Sequence, residues 1–274
     1  MISDATSRPG PISPGNVVSA ALRIYRDQFK VYFSLSARAI LWVLVPVYGW
    51  AKYAMHTGLM ARMAYQTLTN EPETARQAQK QVNPKMWSFL WIGFLLAFIF
   101  IAAYIVFAIV SGVVGFIMAF VVGGLLSSVL GETGIIITSI LTGLIALGIF
   151  FIGLLQLASR LFIAEVPLAM EDGIGASDSI GRSWSLTKKS IGRIQLVVLA
   201  TYLVTLPLML VTNILPQLLL LRMDPTSPAY ALLNIVLIVV SIAASIAVLP
   251  FWQAAKGVLY YDLRSRREGA DLKI

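Results

Sequence analysis

Residue types that could carry catalytic chemistry are scarce in this chain. His56 is its only histidine, and cysteine is absent. A multi-histidine metal site or a Ser-His-Asp triad therefore has no support from the chain's own residues. Neither a phosphate-binding Gly-Lys-Ser/Thr loop nor a dinucleotide-binding glycine pattern occurs. We predict that the protein is not an enzyme and has no cofactor or metal, and that His56 is a surface residue near Lys52 in a hairpin loop.

Uncharged polar residues inside long apolar segments form the first set of candidate site residues. Ion pathways and proton relays need ionisable side chains at membrane depth, and none lies deep in these segments. The candidates are uncharged, and such side chains usually hydrogen-bond a neighbouring helix. Ion-coupled transport is disfavoured, whereas a passive or lipid-handling path remains an alternative. The candidate intramembrane residues are Gln156, Thr201, Thr205 and Asn213.

Basic and aromatic residues beside the apolar segments form the second set. They fall in the stretch SIGRSWSLTKKSIGRI, which begins at Ser179, and in YYDLRSRREGADL, which begins at Tyr260. Tyrosine, tryptophan and basic residues together are typical of a membrane interface, where they anchor a helix or contact anionic headgroups. The candidate contacts to a partner or to lipid are Arg182, Trp184, Lys188, Lys189, Tyr260, Tyr261, Arg264, Arg266 and Arg267.

The composition shows which elements must position these residues. Of the 274 residues, 58% are hydrophobic and only 12% are charged, about half the charged share of a soluble domain. The mean hydropathy is +0.82. A membrane-spanning helix needs about 20 largely apolar residues. The stretches that meet this length are Trp87 to Gly131, Ile135 to Ala164, Ile194 to Leu221 and Ala229 to Trp252.

These stretches predict an all-α integral membrane protein. The first stretch is about twice the length of one span, so we interpret it as one long tilted helix plus an outer segment. Small residues recur within it at four-residue spacing, as in Ala108 with Gly112 and in Gly115, Ala119 and Gly123. Such spacing lets helices approach closely, and we favour packing inside one chain over dimerisation.

Three basic amphipathic segments each precede an apolar stretch. We name Ala21–Phe33, Thr74–Trp87 and Ser179–Ile194 the elbow segments. Their aromatic and aliphatic residues should face the bilayer while arginine and lysine face anionic headgroups. A pair of apolar runs follows each of them. The sequence therefore predicts about six membrane segments in three units, each an elbow helix plus a helical hairpin.

The first hairpin is the weakest of the three, and the sequence leaves open whether it spans the membrane or is re-entrant. Residues 1–16 are rich in proline and glycine and are predicted to form a flexible tail. The remaining boundaries follow from the apolar runs. They are a membrane domain at 17–252, with repeat units at 17–70, 71–165 and 175–252, and a basic cytoplasmic tail at 253–274.

The distribution of basic residues predicts the orientation. All of the 21 lysines and arginines except Lys52 and Arg222 fall on the side of the termini and the elbow segments. Basic residues accumulate on the cytoplasmic side of membrane proteins. Both termini are therefore predicted to be cytoplasmic.

Several short motifs carry a resemblance to a known family. They are Arg160-Leu-Phe, Pro167 to Glu171, Arg182-Ser-Trp-Ser-Leu-Thr187, Tyr260-Tyr-Asp-Leu-Arg264 and Glu268 to Leu272. From about residue 160 onward the chain resembles the membrane domain that precedes the catalytic domain in some bacterial glycerophosphodiester phosphodiesterases, and it resembles stand-alone relatives of that domain. The resemblance implies a six-segment membrane module. It implies no hydrolase activity, because that activity belongs to a separate soluble barrel whose histidine and carboxylate ligands have no counterpart here.

These observations predict a non-enzymatic polytopic membrane module that binds or organises a protein partner or lipids at the cytoplasmic face. The alternative is a transporter, channel or lipid-translocating protein with a polar path between kinked helices. The expected partners are membrane lipids and either a membrane protein or a second copy of the chain, without nucleic acid. The expected location is a bacterial cytoplasmic membrane or an internal, thylakoid-type membrane.

Overall fold

The computed structural model describes residues 13–269. Within this range 87% of the residues are helical and none lies in a strand, which confirms the all-helical prediction. The helices are α1 (Pro14–Asp27), α2 (Phe29–Trp42), α3 (Tyr48–Leu68), α4 (Ala75–Val82), α5 (Met86–Leu130), α6 (Glu132–Leu161), α7 (Val166–Met170), α8 (Ala176–Thr187), α9 (Ile191–Met209), α10 (Leu215–Leu220) and α11 (Pro228–Glu268). A 3₁₀ turn at Asn83–Lys85 leads into α5, and a π turn at Leu210–Ile214 separates α9 from α10.

Among residues 13–269, four helical stretches are long and apolar enough to cross a membrane. They are Ala75–Leu130, Glu132–Met170, Ile191–Leu220 and Pro228–Glu268. Each contains most of one apolar stretch identified in the sequence, so the helices that a membrane protein of this kind requires are present. The 45 residues of α5 form one uninterrupted helix, about 67 Å long at 1.5 Å per residue. The outer segment expected in this region is therefore a continuation of the same helix.

The chain divides into two compact units, and residues 93–161 form one of them. This unit is a hairpin of α5 and α6, joined at Gly131. The methyl carbon of Thr138 would lie 3.4 Å from a Cβ added at Gly123, and that of Thr142 would lie 3.5 Å from one added at Gly115. These contacts support the expected packing within one chain. At Gly134, an added Cβ would collide with the backbone of Leu126.

The other unit contains the rest of the described chain, and α3 and α11 lie at its centre. They touch at Gly257, where a Cβ would collide with the backbone carbonyl of Ala61. Helices α1, α2 and α9 pack around this pair. The large side chains that are fully buried here include Tyr32, Met55, Leu59, Met60, Ile163, Leu168, Leu186, Ile194 and Leu259.

His56 belongs to this core, and the expectation that it lies on the surface is wrong. Only 4% of the residue is exposed, and its Nδ1 atom lies 2.7 Å from the carbonyl oxygen of Lys52. The sequence interpretation placed a hairpin loop near Lys52. The chain instead turns at residues 43–47, so that Lys52 and His56 both lie within α3.

Each elbow segment contains an interruption between two helices. The first is broken at Gln28, between α1 and α2. The second passes from α4 through the 3₁₀ turn into α5, and the third is broken at residues 188–190, between α8 and α9. Helix α1 buries one face, formed by Val17, Val18, Ala21, Ile24 and Tyr25. The apolar residues of the first elbow segment were predicted to face the bilayer, but Ala21, Ile24 and Tyr25 lie in the protein core, because α1 packs against α9 and α11.

The structure describes each predicted tail only in part. Residues 1–12 of the predicted N-terminal tail lie outside the described range, and α1 already begins at Pro14. At the other end, α11 continues to Glu268 through much of the tail predicted at 253–274. This continuation is buried from Gly257 to Leu263. The sequence interpretation ended the membrane domain where the apolar run ends, whereas tertiary packing extends the helix beyond that point.

A Gly134→Ala variant tests the close contact in the α5–α6 hairpin. The new methyl group meets backbone atoms of Leu126, which cannot rotate away. We expect a loss of about 1–3 kcal/mol in stability, measured as a lower apparent melting temperature of the detergent-solubilised chain. Gly143→Ala on the same helix is the matched control, because nothing lies within 4 Å of a Cβ there. Equal melting temperatures for the two variants would contradict this packing.

Candidate functional site

Glu171 is the centre of a polar network at the elbow side of the larger unit. It directly follows α7, in which Val166, Pro167, Leu168 and Ala169 are buried. The Nε atom of Arg182 donates to Glu171 Oε1 at 2.9 Å, and the Tyr260 hydroxyl donates to the same oxygen at 2.7 Å. One carboxylate thus joins the end of α7 to α8 and α11.

Glu268 extends this network along α11. Arg182 forms a second ion pair with Glu268, and Arg264 Nε donates to the other oxygen of that carboxylate at 2.9 Å. Arg264 also donates to the Tyr65 hydroxyl of α3 at 3.3 Å. The structure therefore brings together Arg182, Tyr260 and Arg264, three of the residues selected from the sequence.

Two cations, Lys85 and Arg62, donate hydrogen bonds to backbone carbonyls of α7 and of Glu171, which follows it. Lys85 Nζ donates to the carbonyl oxygens of Leu168 and Glu171 at 3.2 and 2.7 Å. Arg62 donates to the Ala169 carbonyl at 2.6 Å and forms a two-point ion pair with Glu73, at 2.7 and 2.8 Å. These charge-assisted bonds satisfy carbonyl groups that a five-residue helix leaves without partners.

Two further ion pairs connect α11 to its neighbours. Arg193 Nε lies 2.8 Å from an oxygen of Asp262, whose side chain is completely buried, and Arg266 lies 3.2 Å from the same oxygen. Lys256 pairs with Glu165. Because Asp262 is buried between two arginines, its charge is compensated within the fold.

The predicted contact residues therefore fall into two groups. Tyr260 and Tyr261 are buried and pack against the Tyr65 ring, with centroids 5.5 and 6.0 Å away. Together with Arg182 and Arg264 they hold the fold together. The exposed group consists of Trp184, Lys188, Lys189, Arg266 and Arg267.

The electrostatics of Arg182 agree with a role inside the network. Partial burial lowers the pKa of its guanidinium group, but the hydrogen bonds and charges of Glu171 and Glu268 outweigh this effect and hold the pKa above its usual value. Arg182 is therefore a permanent cation, and its two carboxylate partners keep it in place.

The candidates at membrane depth lie on three different elements, and only Thr201 and Thr205 share a helix, where the Thr205 hydroxyl also lies 3.2 Å from Thr201 O. Thr201 and Thr205 are buried, and their hydroxyls donate within α9, to Val197 O at 2.8 Å and to Tyr202 O at 3.0 Å. Gln156 lies on α6 in the hairpin unit. Asn213 lies in the π turn, where its side chain contacts Thr212 and Ser241 of α11.

Sequence reasoning overlooked several residues on which the network depends. Glu171, Glu268 and Asp262 lie in stretches that were selected for their basic and aromatic residues or for their motifs. The Ser179 hydroxyl donates to Ala164 O at 2.6 Å and accepts from Leu168 N at 2.9 Å, so it joins α8 to the start of α7. The available signal was the presence of acidic residues between basic ones, and it does not identify the partners.

Comparisons with known proteins do not assign this arrangement to a family. No family model, no curated protein and no solved structure matches the chain.

Replacing Glu171 with glutamine tests whether the network stabilises the fold. The change keeps the side-chain shape but removes the charge shared by Arg182 and Tyr260. We expect a loss of about 2–3 kcal/mol, typical of hydrogen bonds to a charged group. The measurement is the denaturant midpoint of the full chain in mixed micelles. Asp172→Asn is the control. The neighbouring Asp172 side chain is 86% exposed, so its ion pair with Lys85 should contribute little to stability. If both variants unfold like the parent chain, the network does not stabilise the fold.

Proposed function

We propose that the chain is a non-enzymatic polytopic membrane module that binds or organises lipids or a protein partner at the cytoplasmic face. Among these contacts, anionic lipid headgroups fit the exposed surface best. The observation that carries this proposal is the pairing of exposed aromatic and exposed basic residues on all three elbow segments. Such pairs are typical of helices lying at a charged bilayer surface.

The third elbow segment shows the pattern most clearly. Trp184 is 45% exposed, and Lys188 and Lys189 follow it on the surface. The first segment exposes Phe29 beside Lys30. In the second, Lys80 and Arg76 are exposed ahead of Trp87, which is 50% exposed.

The Glu171 network supports the same proposal. It withdraws Arg182 and Arg264 from the surface and attaches α8 to α7 and α11. Trp184 and Lys188 are thus presented by a helix whose position is held from two sides. A surface that is already ordered loses less conformational entropy when a ligand binds.

The orientation and the number of segments belong to this proposal. We place both termini and the elbow segments on the cytoplasmic side of a bacterial cytoplasmic or thylakoid-type membrane, because the basic residues lie there. Four helices provide spans, and α2 with α3 provides two further segments. The resemblance to the phosphodiesterase membrane domain also favours six membrane segments.

The first hairpin fits a re-entrant segment better than a full span. Helix α2 has 14 residues, about 21 Å at 1.5 Å per residue, and the hydrocarbon core is about 30 Å thick. The tip that follows α2 is apolar and open, with Leu44 79% exposed. Its N–H groups bond locally, from Leu44 to Leu41 O, from Val45 to Trp42 O and from Gly49 to Val45 O. Such local bonding suits a turn that does not reach water.

Single-cysteine variants test this topology, and the absence of native cysteine removes any background. With a membrane-impermeant maleimide on intact cells, we expect labelling of Thr226→Cys alone. Ser185→Cys should react only after permeabilisation. Leu44→Cys should stay unreactive until the membrane is dissolved, because thiolates do not form in hydrocarbon.

Two other labelling patterns would contradict the proposed topology. Labelling of Leu44→Cys together with Thr226→Cys on intact cells would show that the first hairpin spans the membrane. Labelling of Ser185→Cys instead of Thr226→Cys would reverse the proposed orientation.

The headgroup proposal is tested by a Lys188→Gln/Lys189→Gln double variant. Each basic residue near an anionic surface contributes about 1 kcal/mol, so we expect enrichment of phosphatidylglycerol over phosphatidylcholine to fall at least fivefold, roughly the effect of 1 kcal/mol. Native mass spectrometry of protein released from mixed-lipid nanodiscs counts the bound lipids. The control is Arg222→Gln in the loop after α10. The lipid assignment would be overturned if the double variant kept its phosphatidylglycerol enrichment. It would also be overturned if the double variant lost a stoichiometric protein partner and kept its bound lipid.

The transporter alternative has less support in this structure. Its proposed path joined Asn213, Thr205 and Gln156. The Thr205 hydroxyl is already bonded inside α9. Asn213 lines an open cavity, together with mostly apolar residues.

A further inference from the structure

A membrane-facing crevice lies between the first hairpin and the helices α9 and α11. Its volume is about 720 Å³, within the range of about 300–1,000 Å³ typical of small-molecule sites. The hairpin contributes Ile40, Trp50 and Tyr53 to the walls, and the other side contributes Asn213, Val248 and Trp252. All twelve lining residues belong to the larger unit, and most of them are apolar.

The crevice has a depth that matches one leaflet of a bilayer. Along α11 its walls run from Ile242 to Trp252, about 15 Å at 1.5 Å per residue. The hydrocarbon core is about 30 Å thick, so the crevice reaches from one surface to about the middle.

The Trp252 end has the character of a membrane surface. Trp252 packs against Phe162 with centroids 6.2 Å apart, and Lys256 lies over the same Phe162 ring at 5.2 Å. Lys256 is paired with Glu165. Tryptophan beside a cation and an anion is typical of the headgroup level.

At the opposite end the crevice is lined by Asn213, which belongs to a polar cluster in the π turn. Thr212 donates its hydroxyl proton to Leu208 O at 2.8 Å, so its oxygen accepts from the Asn213 amide at 2.8 Å. Ser241 of α11 donates to Asn213 Oδ1 at 2.8 Å. Pro216 supplies no N–H to Thr212 O, the acceptor it would have in an α-helix, which accounts for the irregular turn at this depth.

We propose that this crevice binds one acyl chain of a phospholipid from the elbow-side leaflet. The ester end of the chain lies near Trp252 and Tyr53, and its methyl end lies near Ile242 and Asn213. The bilayer itself supplies the occupant, because the crevice opens between membrane-facing helices. Trp50, Val43 and Ile242 are 43–46% exposed, so a chain can enter sideways from the lipid. The site uses residues different from those of the headgroup surface, so either proposal can fail without the other.

Two photoreactive phosphatidylcholines test the site and the direction of the chain. One carries a diazirine near the ester of its sn-2 chain, and the other carries it near the methyl end. The full chain in nanodiscs is irradiated, and the cross-linked peptides are mapped by mass spectrometry. We expect the first probe to label the Tyr53 and Trp252 peptides and the second to label the Asn213 and Ile242 peptides. Both should exceed labelling of Leu199, a 53% exposed residue of α9 outside the crevice.

A bulky side chain introduced into the crevice should exclude the acyl chain, and the same substitution one residue away is the control. Ala244 lines the crevice, whereas its neighbour Ala243 is exposed and does not. We expect Ala244→Phe to lower crevice labelling at least fivefold, roughly the effect of 1 kcal/mol in affinity, and Ala243→Phe to leave it unchanged. If Ala244→Phe does not fold, competition on the unaltered chain takes its place, and excess unlabelled phosphatidylcholine should suppress crevice labelling.

Any one of the following results would overturn the proposal. The first is labelling of crevice residues no stronger than that of Leu199. The second is a reversed pattern for the two probes. The third is crevice labelling that persists in a folded Ala244→Phe variant, or that free fatty acid suppresses while excess phospholipid does not.

Discussion

The larger unit depends on the carboxylate of Glu171. Arg182 and Tyr260 both donate to one of its oxygens, and Lys85 binds its backbone carbonyl. These contacts join α8, α11 and the start of α5 to one residue. A charge withdrawn from water stabilises a fold only when its partners compensate the lost hydration. Here two donors from separate parts of the chain, Arg182 and Tyr260, compensate the carboxylate.

The basic residues have two roles in this structure: some form ion pairs inside the fold, and others lie on the surface. Arg62, Arg182, Arg193 and Arg264 are engaged by carboxylates inside the fold, where they fix helix positions. Other basic residues remain on the surface beside aromatic side chains, where they suit contacts with lipid headgroups. Residue type and sequence position do not distinguish the two groups. The distinction depends on whether an acidic residue from another helix reaches the cation.

Inside the apolar segments the helices associate through close packing instead of ion pairs. Lipid tails are as apolar as leucine, so hydrophobic burial gives little drive for helices to associate there, and close approach becomes important. Gly115 against Thr142 and Gly123 against Thr138 provide such approaches between α5 and α6. Irregular backbone is confined to places with local partners, namely the turn at 43–47 and the π turn supported by Ser241.

The sequence by itself determined the features that depend on composition and local pattern. Hydropathy identified the four long apolar helices, and the spacing of Gly115 and Gly123 indicated packing within the chain. Only the tertiary structure decided that Tyr260 and Tyr261 are buried, that His56 lies in the core and that α11 continues to Glu268. The physical reason is that these outcomes depend on partners far away in the chain. Glu171 and Tyr260 are 89 residues apart, and local periodicity carries no information about which carboxylate meets which cation.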